Sequence, residues 1–306
     1  MKPDGSASAR GRILSRVIGR ERELELALAA VTAGRDLVLE GPPGTSKTTM
    51  LRAITAEWNI PLVFVEGNGD LTPGKLLGHH NPARVLREDY SEDNFVAGPL
   101  VEAMRTGGFL YIEEFNRAPE DTLNALLTAM ADRSITIPRV GTVVAEPSFR
   151  VIASMNPFDN VGTTRLSTSV SDRLNRIVVG YQDAEEEESI VALRSGLALG
   201  GGLAGAIVAD AVAVARATRE HPSVRQGSSV RGAIDCAMIL SELCASRMIT
   251  EARDERYRDA ALDAMQVALS GRIRVDESTD ATPESILREI WEDLFILQRA
   301  AYRGPT

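Results

Sequence analysis

Residues 37–50 read LVLEGPPGTSKTTM, and this stretch decides the fold that the sequence predicts. The apolar residues 37–39 predict a short buried strand, the Gly/Pro segment predicts a turn, and Lys47 opens a helical pattern. In this setting the amide groups of the loop and of the helix amino terminus bind phosphate, and the Lys47 ammonium group adds a positive charge. The hydroxyl group of Thr48 is a suitable ligand for Mg²⁺ beside a triphosphate. The stretch therefore predicts a nucleotide site.

The loop departs from the strict phosphate-binding pattern G-x-x-x-x-G-K-[S/T] at one position. Gly41 occupies the first glycine position, but Ser46 stands where the second glycine is expected. A Cβ atom there restricts the backbone angles and crowds the phosphate. Taken alone, the stretch fits either a nucleotide site or a plain strand–turn–helix. The predicted phosphate-binding residues are Gly41, Pro42, Pro43, Gly44, Thr45, Ser46, Lys47, Thr48 and Thr49.

The composition indicates a globular protein and weighs against nucleic acid as the main partner. Of 306 residues, 44% are hydrophobic and 25% are charged, which is ordinary for a globular chain, and the net charge is −9. A protein that binds a phosphate backbone needs a basic face, which this balance does not favour. Cys236 and Cys244 are expected to be buried thiols of a cytoplasmic protein. The amino-terminal residues lack the apolar segment of a signal peptide, and we expect no membrane insertion.

Apolar strands alternate with helical patterns in the first part of the chain, which predicts an α/β domain with a parallel sheet. We expect a flexible tail at residues 1–16 and the α/β core at residues 17–181. Within the core, the polar segment at about 67–99 reads as a long irregular insertion, and the alternating segment at about 135–145 reads as a hairpin.

Residues 182–306 show helical patterns and no clear strand, and they predict a second domain that is entirely helical. The acidic run 185–188 is interpreted as the solvated start of its first helix, where the helix dipole favours negative charge. The last helix is expected to begin at Pro283, with Thr282 as its N-cap, and to continue to about residue 301.

Polar side chains follow two of the predicted core strands. Glu113 and Glu114 end the apolar strand 108–112, at the position where parallel sheets bind their ligands. Beside a triphosphate, one carboxylate can hold a metal ion and the other can polarise an attacking water. Asn156 follows the strand 149–154 and has two open interpretations, a contact to the γ-phosphate or water and a turn cap before proline.

These motifs, in this order, resemble those of the AAA+ ATPases, and within them the MoxR family, which is related to the CbbQ, NorQ and GvpN types. The resemblance extends from Val17 to the region of Arg231. Segment 41–48 resembles a Walker A motif, 109–119 (FLYIEEFNRAP) a Walker B motif, and 154–157 (SMNP) a sensor 1 motif. Segment 162–174 resembles an arginine-finger region, and 227–233 (GSSVRGA) a sensor 2 motif. Segments 67–99 and 135–145 are similar to the helix-2 insertion and the pre-sensor hairpin of that family.

The resemblance implies a P-loop NTPase fold of the AAA+ type, a parallel sheet flanked by helices and followed by an all-helical lid domain. It also implies ATP or ADP and Mg²⁺ as cofactors. By the same resemblance Lys47 binds the β- and γ-phosphates, Thr48 and Glu113 hold Mg²⁺, Glu114 orients the attacking water, and Asn156 senses the γ-phosphate. Glutamate at position 113 replaces the usual aspartate, and with Ser46 it suggests slow hydrolysis.

Further roles implied by the resemblance concern the adenine, the lid and the neighbouring subunit. Val17, Ile18 and Gly19 would line the adenine pocket, and Arg231 would report the nucleotide state to the lid. The residues alone leave Arg173 open between an internal salt bridge and a contact to a neighbouring subunit's nucleotide, and the resemblance favours the second. Arg165 and Arg176 are rival candidates for that arginine finger.

The function that the resemblance implies is a ring-forming ATPase, expected to be a hexamer, that remodels a protein client. Relatives of this kind typically work with a partner that carries a von Willebrand A domain. A second hypothesis is a nucleotide-binding assembly scaffold that hydrolyses little ATP, which the departures at Ser46 and Glu113 motivate. A third is a nucleic-acid-remodelling motor, which the acidic balance disfavours.

Overall fold

The computed structural model describes residues 7–88, 92–156 and 168–297. The chain divides into two compact units, Met1–Gly180 and Tyr181–Thr306. The domain boundary predicted from the sequence, between residues 181 and 182, is one residue later than this division. In chain order the elements of the first unit are α1 (Ala7–Leu14), α2 (Glu21–Thr32), β1 (Leu37–Glu40), α3 (Lys47–Trp58), β2 (Leu62–Glu66), α4 (Pro73–Leu77), β3 (Gly78–His80), α5 (Pro82–Glu88), β4 (Phe95–Ala97), α6 (Pro99–Thr106), β5 (Phe109–Glu113), α7 (Glu120–Asp132), β6 (Ser134–Ile137), β7 (Gly141–Val144), β8 (Arg150–Met155), α8 (Thr168–Ser171) and β9 (Asn175–Val178).

Five parallel strands form the centre of the first unit, in the order β2-β5-β8-β1-β9. The sheet is covered by helices on both faces, as its alternating side chains show. Leu37 and Leu39 pack in a core with residues of α1, α2 and α3, whereas Val38 packs in a second core with residues of α6 and α7. Burial on both faces explains why these strands read as continuous apolar runs. The predicted parallel α/β fold is therefore confirmed.

The expected flexible tail at residues 1–16 is wrong from residue 7 onward, because α1 occupies much of it. Ala9 and Ile13 lie four residues apart, so they share one helix face; both are buried, and Ile13 belongs to the core that contains residues of α3. On the exposed side, the Arg12 Nε atom donates to Glu57 Oε1 over 2.8 Å. The basic and small residues of this segment resemble a tail in composition, but two well-spaced apolar side chains are enough to dock a short helix.

The predicted insertion at 67–99 also contains more regular structure than its polar sequence indicated. It includes α4, α5 and an antiparallel pair of strands, β3 and β4, joined through residues 78–80 and 95–97. Thr72 caps α4 by accepting a hydrogen bond from the Lys75 amide over 3.2 Å. The predicted hairpin at 135–145 is present as the antiparallel pair β6 and β7.

The second unit is helical with one exception. Its elements are α9 (Ala184–Ser195), α10 (Gly202–Glu220), β10 (Val224–Gln226), α11 (Val230–Ser246), α12 (Glu255–Leu269), β11 (Arg274–Val275), α13 (Pro283–Trp291) and a π-helix (Glu292–Leu297). The strands β10 and β11 pair antiparallel, which corrects the expectation of an all-helical domain. Each strand is two or three residues long, so neither carries a readable alternation, and the pairing joins segments about 50 residues apart in the chain.

The predicted start of the last helix and the predicted burial of the two cysteines are confirmed. Thr282 caps α13 in a capping box with Ser285, and Pro283 is the first helical residue. Regular α-helix ends at Trp291, before the predicted end near residue 301, and residues 298–306 lie outside the described part of the chain. Cys236 and Cys244 are buried free thiols, and burial raises the pKa of Cys236 to about 12.

The acidic run 185–188 opens α9 as predicted, but it is not simply solvated. Asp183 caps the helix through the Glu186 amide over 2.8 Å, whereas the Glu187 side chain is completely buried. Glu187 Oε1 accepts from the Arg219 guanidinium over 2.6 Å, and Arg219 lies 3.8 Å from the centre of the Tyr181 ring. A single glutamate of the run thus forms a buried ion pair within the second unit.

Glu187→Gln is expected to destabilise the second unit by about 3 kcal/mol, because it leaves the Arg219 charge buried without its carboxylate. Urea unfolding followed by tryptophan fluorescence measures the loss. Glu185→Gln is the matched control, since Glu185 is exposed on the same helix turn, and its effect should stay within about 0.5 kcal/mol. Equal effects of the two changes would show that burial of the pair is unimportant.

Candidate functional site

The carboxyl ends of the central strands bring the main predicted site residues to one edge of the sheet. Glu40 of β1 lies beside Met155 of β8, so Gly41 and Asn156 follow neighbouring strands. The strand β5 pairs with β8 on the other side and ends at Glu113. Ligands of open parallel sheets bind at this edge. The order of the strands therefore places the phosphate loop, the two glutamates and Asn156 along one edge.

The phosphate loop links β1 to α3 and needs its first glycine. The Gly41 amide donates to the Met155 carbonyl over 3.1 Å, and a Cβ atom on Gly41 would lie 2.0 Å from the Val179 carbonyl oxygen. Helix α3 begins at Lys47, directly after the loop. Its first amide groups have no partner within the helix, which makes this end of α3 suited to an anion.

Ser46 adopts the backbone conformation that the missing glycine would favour. Its φ angle is 63° and its ψ angle 16°, in the left-handed region, and it is the N-cap residue of α3. A side chain in this region costs about 1 kcal/mol relative to glycine. Serine at this position therefore preserves the shape of the loop. The consequence is local backbone strain, and the type of turn does not change.

Lys47 lies inside the curve of the loop and is almost completely buried. Its Nζ atom donates to the carbonyl oxygens of Gly41 over 2.8 Å and Pro42 over 2.7 Å, and to Thr45 Oγ1 over 3.3 Å. Thr45 in turn donates to the Pro42 carbonyl over 2.9 Å. The loop thus holds the ammonium group beside its own backbone, where the positive charge complements the amide dipoles toward an anion.

Thr48 and Glu113, predicted as metal ligands, meet across the gap between α3 and β5. The Thr48 hydroxyl donates to Glu113 Oε1 over 3.1 Å. A hydroxyl oxygen and a carboxylate are hard donors of the kind that Mg²⁺ prefers, and Mg²⁺ sites commonly use few protein ligands together with substrate phosphates. The donor set therefore fits a magnesium ion. Sequence reasoning missed Tyr111, whose hydroxyl lies 3.0 Å from Thr48 Oγ1.

Glu114 follows Glu113 in an unusual backbone conformation. Its φ and ψ angles are 53° and 42°, and its carboxylate forms an ion pair with Arg117 over 3.0 Å. Left-handed backbone at a non-glycine residue is strained and is concentrated at functional sites. Gly67 accommodates this turn, since a Cβ atom there would lie 2.5 Å from the Glu114 carbonyl oxygen. Gly67 and Arg117 carried no individual signal in the sequence.

Asn156 directly follows β8 and is the last residue described before the gap at 157–167. Its backbone carbonyl accepts from the Asn116 side-chain amide over 3.4 Å, which connects it to the turn after Glu114. The contact concerns the backbone of Asn156 and leaves both interpretations of its side chain as they were predicted.

The predicted adenine segment, Val17 to Gly19, lies next to residues 179–180, which border the phosphate loop. Val17 is buried in the same core as Val179, whose carbonyl faces Gly41, and Gly19 has a φ angle of 65°. The buried Arg20, which sequence reasoning missed, donates to the Gly180 carbonyl over 2.6 Å. Ile18 is partly exposed. Residues 17–20 and the phosphate loop thus both adjoin the segment 179–180.

The three candidate arginine fingers differ in their surroundings. Arg173 is exposed and donates to the Ser169 carbonyl over 2.9 Å. It precedes β9, so it lies at the amino edge of the sheet, opposite its own phosphate loop. Arg176 binds both carboxylate oxygens of Glu40 in its own subunit, with 2.8 Å between Nη2 and Oε1. Arg165 lies outside the described residues.

Arg231 belongs to the second unit. It is the second residue of α11, after the N-cap residue Ser229, and its side chain is exposed. Its predicted role toward the nucleotide stays a prediction. Among the described residues of both units, no helix combines the length and the apolar character needed to cross a membrane.

Comparisons with known proteins agree with this geometry. Residues 36–174 match the AAA domain of the dynein-related subfamily, a segment that runs from the start of β1 to the start of β9. An uncharacterized protein of Staphylococcus epidermidis is 29% identical over 79% of this chain and 94% of its own length. The gas vesicle ATPase GvpN of Ancylobacter aquaticus is 25% identical over 78% of this chain and 69% of its own length.

Solved structures share the fold. A crystal structure of a candidate ATPase from Cytophaga hutchinsonii covers 94% of this chain and 93% of its own, with a TM-score of 0.52 and 20% identity. A mutant of RuvB from Thermotoga maritima covers 84% of this chain and 72% of its own, with a TM-score of 0.55 and 19% identity. The chain therefore has the fold of the AAA+ P-loop NTPases, with an AAA domain match over residues 36–174.

Proposed function

We propose that this protein is an ATP-hydrolysing, ring-forming AAA+ ATPase of the MoxR-like kind that remodels a protein client. The observation that carries the proposal is the pairing of Thr48 with Glu113 over 3.1 Å, at the end of a phosphate loop and directly before Glu114. A hydroxyl and a carboxylate at this point hold a metal ion, and the adjacent carboxylate can act on a water molecule. Binding of phosphate alone would not require this second carboxylate.

The reaction assigns a separate task to each group. Amides of the loop and the Lys47 ammonium group bind the β- and γ-phosphates, and Val17 to Gly19 hold the adenine. Thr48 and Glu113 would hold Mg²⁺, which when bound neutralises charge on the phosphate oxygens. The Glu114 carboxylate accepts a proton from water as the water oxygen bonds to the γ-phosphorus and the bond to the β–γ bridging oxygen breaks. The products are ADP and inorganic phosphate.

One relative and two residues of this chain support the proposal. The gas vesicle ATPase GvpN shares a quarter of its aligned residues with this chain, which supports ATP hydrolysis. Asn156 follows the neighbouring strand β8 and is suited to sense the γ-phosphate, and Arg231 on α11 is suited to report the nucleotide to the second unit. We further propose that a partner with a von Willebrand A domain presents the client in the cytoplasm, and that the ring is a hexamer.

The alternative of an assembly scaffold rests on Ser46 and Glu113. The strained backbone at Ser46 and the longer side chain at position 113 both alter the geometry around the phosphates, and either could slow hydrolysis. A nucleic-acid motor has less support. RuvB shares the fold at under 20% identity, and the net charge of −9 disfavours a phosphate backbone as partner.

The proposal predicts that Mg²⁺-dependent ATP turnover per subunit rises with protein concentration. The physical reason is that a transition-state arginine supplied by a neighbour is present only in an oligomer. Phosphate release is measured over about a thousandfold range of protein concentration, a range chosen to cross ordinary subunit dissociation constants. Constant turnover per subunit would contradict the ring, and tight binding of ATP without turnover would favour the scaffold.

A further inference from the structure

A chain of three hydroxyl groups connects the candidate metal site to the neighbouring strand. Tyr111, in the middle of β5, is completely buried, and its hydroxyl lies 3.0 Å from Thr48 Oγ1 and 3.0 Å from Ser154 Oγ. Thr48 is the second residue of α3. Ser154 is on β8, two residues before Asn156. The three hydroxyls therefore join the helix of the phosphate loop to two strands of the sheet.

Packing does not explain the hydroxyl group of Tyr111. The ring lies in the core formed by Leu37, Leu39 and residues of α1 to α3, and it contacts the Phe64 ring with 5.7 Å between the ring centres. Phenylalanine would fill the same space without placing a polar atom in the core. A buried hydroxyl is costly unless it is hydrogen-bonded. Its two partners here are both polar atoms at or next to the candidate site.

The direction of these hydrogen bonds suits a metal ligand. The Tyr111 hydroxyl donates to Ser154, so its oxygen can accept but has no second proton to give to Thr48. The single Thr48 proton therefore has two acceptors, Tyr111 and Glu113 Oε1, and the lone pairs of the Thr48 oxygen stay available for a cation.

We propose that Tyr111 is a positioning residue that fixes the Thr48 hydroxyl as a Mg²⁺ ligand, with Ser154 holding the Tyr111 proton away from that hydroxyl. The inference rests on the proposed function, because it assumes that Thr48 binds Mg²⁺ beside a nucleotide. Groups that orient a metal ligand through a hydrogen bond commonly change metal affinity when removed. The same hydroxyl chain ties the metal ligand to β8, the strand that leads to Asn156.

The test is the Mg²⁺ dependence of ADP binding, which does not require hydrolysis. Affinity for a fluorescent ADP is measured across Mg²⁺ concentrations and in EDTA, for the full chain and for Tyr111→Phe. Without the Tyr111 hydroxyl, Thr48 loses one of the two groups that orient its own hydroxyl, and we expect the half-saturating Mg²⁺ concentration to rise about 10-fold. Affinity in EDTA should change less than about 2-fold, because the phenyl ring keeps the packing.

Two further variants separate positioning from a general loss of structure. Tyr257→Phe is the matched control, because Tyr257 is also completely buried and donates to Asp210 over 2.8 Å in the second unit. It should leave the Mg²⁺ dependence unchanged. Ser154→Ala leaves Tyr111 intact but frees its proton to occupy the Thr48 oxygen, so the half-saturating Mg²⁺ concentration should again rise.

Three outcomes overturn the inference. A normal Mg²⁺ dependence in Tyr111→Phe would show that the hydroxyl does not position the ligand. An equal loss of ADP affinity in EDTA and in Mg²⁺ would assign Tyr111 a merely structural role. An unaltered chain that does not bind ADP, or binds it independently of Mg²⁺, would overturn the proposed function together with this inference, and the first two outcomes leave the proposed function intact.

Discussion

Glu114→Gln is expected to lower ATP turnover about 1,000-fold, the range typical for loss of a general base. Glutamine has the same size and can still accept a hydrogen bond from Arg117, which pairs with Glu114 over 3.0 Å. It cannot accept a proton from the attacking water. The phosphate loop, Lys47 and the Thr48–Glu113 pair remain, so the affinity for ATP should stay within about 3-fold of the original value.

The measurement is phosphate release at saturating ATP and Mg²⁺, combined with ATP binding to the same preparation. Glu25→Gln provides the control, because Glu25 is an exposed glutamate that also pairs with an arginine, Arg10, over 2.9 Å. It should leave turnover unchanged. Retention of turnover in Glu114→Gln would contradict the role of Glu114, and loss of ATP binding would indicate that the strained turn at residue 114 has collapsed.

The part of this site that could be predicted from sequence is the part that depends on chain order. A strand followed by a glycine loop and a helix fixes where Lys47 and Thr48 lie, and an apolar strand ending in two glutamates fixes Glu113 at the carboxyl edge. Parallel strands place these ends together, and Thr48 and Glu113, which the family resemblance paired across 65 positions of the chain, lie 3.1 Å apart.

Features that depend on one long-range partner were not predictable. Glu187 lies in a run of four acids and differs from the others only because Arg219 faces it from α10. In the sequence Tyr111 resembles one more apolar residue of β5. Only the structure shows that its hydroxyl group contacts Thr48 and Ser154. The ribbon of β10 and β11 is too short to show a period.

The backbone conformation of individual residues could not be predicted from the sequence either. The sequence identified Ser46 as a departure that restricts the loop, and the structure has it in the left-handed region that glycine favours. No pattern indicates which non-glycine residues will accept such strain, because the surrounding packing decides it. The same holds for Glu114, whose φ angle of 53° follows from the turn beside Gly67.

The second large effect concerns the arginine finger. Arg173→Ala is expected to lower turnover at least about 1,000-fold, since an arginine supplied by a neighbouring subunit stabilises the charge of the transition state. Within its own subunit Arg173 lies at the amino edge of the sheet, opposite the phosphate loop, and it is exposed. It therefore cannot serve its own site, although it can serve that of a neighbour in a head-to-tail ring.

Mixing two inactive variants tests this arrangement directly. Arg173→Ala subunits retain Glu114, and Glu114→Gln subunits retain Arg173, so an interface between them in one orientation carries both groups. Random mixing at equal amounts should restore about a quarter of the full turnover, because half of the subunits supply the glutamate and half of their neighbours supply the arginine. Each variant alone should stay inactive at every protein concentration.

The variant Arg176→Ala tests whether Arg176 acts within its own subunit or on the site of a neighbouring subunit. Arg176 binds Glu40, the residue directly before Gly41, so its loss affects the phosphate loop of the same chain. Any turnover lost in Arg176→Ala cannot be regained by mixing with Glu114→Gln, because no subunit of the mixture has both residues. Recovery with Arg176→Ala and none with Arg173→Ala would reverse the assignment, and Arg176 would then have to leave Glu40 to reach the neighbouring site.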